Sequence, residues 1–97
     1  MAEFILRTTK PEKAVTMIED AIAAKIAQME LSKQRYRKKL EKFEQKYNLT
    51  SEEFINNWTA EDLEGKDLEY IEWAGEYKLF LLVEENLNIL KSLEYVT

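Results

Sequence analysis

Residues 46–65 read KYNLTSEEFINNWTAEDLEG, with two helix-start signals close together. In the first, Asn48 suits the left-handed conformation that ends a helix. Thr50 supplies a cap oxygen, Glu53 stands three residues on in the capping-box position, and Leu49 with Phe54 has the spacing of a hydrophobic staple. The second signal repeats the device, with Trp58 and Leu63 as staple, Thr59 as cap and Asp62 in the box position. Gly65 ends that turn, and Asp67 is placed to cap the next helix. The stretch predicts two short helices, at 51–57 and 60–64, folded into a corner with Trp58 plugged beneath it. Such a corner reverses the chain between two longer elements.

Towards the N-terminus, no Gly or Pro interrupts the chain between Pro11 and Gly65. Val15, Ile22, Met29, Tyr36 and Phe43 recur at seven-residue intervals, and Ile18, Ile26, Leu40 and Tyr47 widen the same stripe. A sustained seven-residue repeat is the signature of a coiled-coil-like seam. It predicts a helix over 11–47, roughly 55 Å long at 1.5 Å per residue. A helix of that length needs another long helix to cover its stripe. Pro11 suits the first helical position, where its missing N–H would be unpaired anyway. Thr9 and Glu12 also have capping-box spacing, but that register places Lys10 inside the helix, and a residue before proline is pushed out of helical geometry.

Upstream, AEFILRT (residues 2–8) is a short apolar run that predicts a strand over about 3–8. It has no second strand to pair with, and unpaired strand edges call for a partner. A symmetry mate or another protein could supply one; the alternative is an N-terminus that is frayed or packed on a helix.

Downstream, residues 67–94 predict the second long helix. Leu68, Ile71, Trp73, Tyr77, Phe80, Leu81, Leu87, Leu90 and Leu93 form a broad apolar band, and Leu79, Leu82, Val83 and Ile89 spread it almost all round. A helix apolar on more than one side is packed on more than one side. One side faces the first helix. The surplus, with Phe4, Ile5 and Leu6 before the other helix, marks a surface for self-association or for a partner protein.

The composition bounds the chemistry. The chain has 97 residues, no His and no Cys. Thiolate nucleophiles, disulfides and thiolate metal sites are excluded, and the commonest general base and metal ligand is missing. The acidic stretch EDLEGKDLEYIE (residues 61–72) fails as a calcium loop. With Gly65 in the sixth position, Ala60 and Ile71 would occupy the first and twelfth, which need oxygen ligands. A di-metal carboxylate bundle normally carries Glu-x-x-His pairs, which a chain without His cannot supply. There is no Gly-rich phosphate loop. No enzyme activity, metal or cofactor is expected. No apolar run approaches a membrane span and no signal-peptide pattern is present, so a cytoplasmic location is expected.

The net charge of −5 conceals an asymmetry. Residues 1–48 carry 11 Lys and Arg against 7 Asp and Glu; residues 49–97 carry 3 against 12. The two halves are expected to attract each other, or one of them to dock an oppositely charged partner. The basic excess concentrates in KQRYRKKLEKFEQK (residues 33–46). Lys33, Arg35, Arg37, Lys38, Lys39 and Lys42 are therefore candidate nucleic-acid contacts in an alternative reading, as a regulatory protein.

LEKFEQKYNLTSEEF followed by DLEYIEWAGEY resembles a set of small prokaryotic helical proteins of antitoxin or toxin–antitoxin-associated type. The residues that carry the resemblance are Phe43, Glu44, Tyr47, Ser51, Glu52, Glu53, Phe54, Asp67, Glu72 and Trp73, over about residues 40–77. This chain has TAEDLEGKD where the related pattern has a Gly-Glu-Leu-Gly-Asp turn. The resemblance implies a non-enzymatic protein that binds a partner, such as a toxin-like protein, and transfers no activity. The expectation is an all-α single domain: a long antiparallel helical hairpin with a two-helix corner and an N-terminal strand, completing a four-helix-type bundle as a homodimer.

Overall fold

The computed structural model of the chain describes residues 2–57 and 68–94. These residues form three helices in order: α1 (Pro11–Tyr47), α2 (Ser51–Asn57) and α3 (Leu68–Lys91). The fold is all-α, with α1 and α3 packed as an antiparallel hairpin. The molecule is elongated, 59 × 24 × 18 Å, with a radius of gyration of 19.0 Å. A compact domain of this size would have about 13 Å. The length comes from α1, which has 37 residues.

Pro11 occupies the first turn of α1, as its fixed φ and missing N–H dictate. Lys10 precedes it in a non-helical conformation, with its backbone N–H donating to Thr8 Oγ1 at 3.2 Å. At the other end Asn48 is left-handed, with φ 51° and ψ 50°. The Leu49 N–H donates back to the Glu44 carbonyl at 3.2 Å, closing the last turn in a Schellman arrangement. α2 starts from its cap at once: Thr50 Oγ1 accepts the Glu53 N–H at 3.1 Å. A cap bond of this kind contributes about 1 kcal/mol. Phe54 is fully buried and Leu49 packs beside the same cluster, as the staple spacing requires.

Among the described residues, four ion pairs set the hairpin register. Lys46 meets Glu69 at 2.6 Å, Lys39 meets Glu76 at 3.3 Å, Lys33 meets Glu84 at 3.5 Å, and Lys91 meets Glu30 at 2.6 Å. Position falls along α1 as it rises along α3, so the helices run antiparallel. Three of the four join a basic residue of α1 to an acid of α3, so the charge asymmetry is spent partly inside the hairpin. Exposed pairs of this kind fix register more than they add stability, because water and salt screen them. The end of α3 lies level with Glu30, so the first part of α1 extends past it by roughly 28 Å at 1.5 Å per residue.

That overhang leaves the seam unevenly covered. Leu40, deep in the hairpin, is fully buried, whereas Val15, Ile18, Ile22, Ile26 and Met29 are only half-buried.

Two expectations need correction. Residues 2–8 form no strand, and Phe4, Ile5 and Leu6 are 67–78% exposed. A lone extended segment has no ladder to join, so its backbone stays in water rather than in a sheet. The last helix ends at Lys91 rather than Glu94. Ser92 closes it: its N–H donates to Asn88 and Ile89 carbonyls at 3.1 and 3.2 Å, and its Oγ donates to the Ile89 carbonyl at 2.7 Å. The second short helix at 60–64, the Trp58 plug, the Thr59 cap and Asp67 lie outside the described residues.

Candidate functional site

An aromatic knot forms where α1 ends, α2 crosses and α3 begins. Leu40, Phe54, Trp73 and Phe80 form its buried centre, with Tyr36, Phe43, Tyr47, Tyr70 and Tyr77 around them. Trp73 is fully buried and stacks on rings from both α1 and α2. It lies on Phe54 with centroids 4.0 Å apart, and on Phe43 and Tyr47 at 5.6 Å each. The spacing on α1 explains the wall: residues three or four apart lie on one helix face, and Tyr36, Leu40, Phe43 and Tyr47 obey that rule.

A chain of hydrogen bonds runs through the knot. Trp73 Nε1–H donates to Ser51 Oγ at 2.8 Å. Ser51 Oγ–H in turn donates to Glu44 Oε2 at 2.8 Å, and so does the Ser51 backbone N–H at 2.8 Å. Glu44 Oε1 receives Arg37 Nη2 at 3.1 Å. Arg37 also pairs with Glu41 at 3.5 Å and lies over the Phe80 ring at 5.9 Å. The polar groups buried here are thus joined end to end, as buried polar groups must be. Ser51 is the only polar residue fully buried among the described residues, and its side-chain bonds join α1, α2 and α3.

A second cluster closes the open end. Glu69 accepts from Lys46 at 2.6 Å and from the Tyr47 hydroxyl. The Lys46 bond, then the Tyr47 bond, hold the Glu69 carboxyl below its ordinary range. The Glu69 bond raises Lys46, and that bond, together with burial, raises Tyr47. The lowered Glu69 favours the folded state above the ordinary carboxylate range, and its contribution is lost as pH falls through its folded value. The raised Lys46 and Tyr47 contribute below about pH 10 and are lost above it. Glu69→Gln is therefore expected to lower stability at pH 7, by a gap that narrows at pH 3. Urea melts at the two pH values check this; an equal gap at both would refute the coupling.

Among the described residues no three His, Cys, Asp or Glu side chains are grouped to hold a metal ion. A surface hollow beside the corner is lined by Glu41, Glu44, Gln45, Asn48, Leu49, Thr50 and Glu53. Glu41 and Glu44 already bond to Arg37, and Glu44 to Ser51, so these two carboxylates are committed. Glu76 gives one oxygen to Lys39 and buries the other, Oε2, with no hydrogen-bond partner among the described residues.

The residues singled out from the sequence fall into two groups. Of the candidate nucleic-acid contacts, Lys33, Arg37 and Lys39 are tied to Glu84, Glu41 with Glu44, and Glu76. Arg35 bonds Ser32, and Lys38 and Lys42 are exposed without an ion pair among the described residues. Of the candidate association residues, Leu79, Leu82 and Ile89 are 43–54% exposed on α3, and Val83 is half-buried. Ile71 and Leu68, which belong to the same outward side, are 56% and 81% exposed.

The residues that carry the family resemblance converge: Phe43, Glu44, Tyr47, Ser51, Phe54 and Trp73 all belong to the knot. Glu52, Glu53 and Glu72 are exposed around it. The pattern is that of a corner, a structural device, and the hydrogen-bond chain through Ser51 was not legible in spacing alone. No protein-family model, curated protein or solved structure matches the chain. Among the described residues no helix is long and apolar enough to cross a membrane.

Proposed function

We propose that the protein is a non-enzymatic interaction module inside the cell, which binds itself and a partner protein through its helical faces in the manner of an antitoxin. The observation that carries this reading is the outward side of α3. Leu68, Ile71, Leu79, Leu82 and Ile89 lie open on the helix whose other side is the core. Monomeric proteins seldom leave so continuous an apolar strip in water. Several charged side chains of the hairpin, by contrast, are paired with one another. The half-covered seam of α1 and the exposed Phe4, Ile5 and Leu6 add to the surface available for a partner.

Nucleic-acid binding is less well supported, because half of the basic candidates already neutralise carboxylates of the same chain. Light scattering at micromolar concentration tests the main reading: a homodimer at twice 11.5 kDa is expected. A monomeric mass throughout, with retarded DNA or RNA whose binding collapses as salt rises, would overturn it in favour of the nucleic-acid reading.

A further inference from the structure

We draw no further inference here: the strongest candidate, the outward apolar strip of α3 at Leu68, Ile71, Leu79, Leu82 and Ile89, carries none, because nothing in the structure shows what covers it.

Discussion

Trp73→Ala is expected to remove about 3–5 kcal/mol of stability, the range for deleting a large buried aromatic. Domains of this kind are stable by only about 5–15 kcal/mol, so the variant would stand near the edge of folding. The cost has two sources. Phe54, Phe43 and Tyr47 lose their central partner, since all of them pack on the indole. The chain cannot collapse into the space cheaply, because those rings come from two different helices held by the corner. The buried Ser51 Oγ also loses its donor. Trp73→Phe separates the two sources: it keeps most of the ring contact and removes the donor, and about 1 kcal/mol beyond the lost volume is expected. Urea melts tracked by circular dichroism measure both. A Trp73→Ala loss under about 1 kcal/mol would mean that the knot is not the structural centre of the hairpin.

Glu44→Ala is expected to cost about 3 kcal/mol, the next largest effect. One carboxylate there accepts the Ser51 N–H, the Ser51 hydroxyl and Arg37. Bonds to a charged group are worth about 1.5–3 kcal/mol, and a buried donor left without an acceptor costs about 1–3 kcal/mol. Registration of α1 against α2 is lost with them, because Glu44 belongs to the last turns of α1 and Ser51 opens α2. Ser51→Ala removes the same hydroxyl bonds from the other end. The two substitutions share a partner, so their combined cost is expected to fall short of the sum by about 1 kcal/mol. A double-mutant cycle reads this directly, and strict additivity would show that Glu44 and Ser51 act independently.

The long-range shape of the molecule was legible before any coordinate. The seven-residue recurrence from Val15 to Phe43 is a property of one helix face, and such a face is written in consecutive residues. Pro11, Asn48 and Thr50 mark helix ends through their own backbone and side-chain chemistry, which needs no distant partner. The N-terminal run Phe4, Ile5 and Leu6 misled for the complementary reason. Apolar residues in succession suit a strand, but a strand exists only when a second one supplies its hydrogen bonds, and no residue within the run can reveal that second strand.

The candidate surface was half legible. Leu79, Leu82 and Ile89 stood out as surplus to a two-helix hairpin, because one neighbour covers only one side of a helix. The pairing of Lys33 with Glu84 and of Lys39 with Glu76 was not legible, because those carboxylates lie far along the chain from the basic stretch.

Residues by themselves determined α1 with both its ends, the start of α2, the antiparallel hairpin they imply and the charge asymmetry between the halves, because each rests on neighbours within about one or two turns. Tertiary structure decided the rest. It chose Trp73 as the buried centre among the described residues, joined Glu44 to Ser51 and Ser51 to Trp73, and set the ion-pair register that leaves α1 overhanging. Those are relations between segments far apart in the chain, and packing brings such segments together by fitting whole surfaces, a geometry that no single stretch of residues contains.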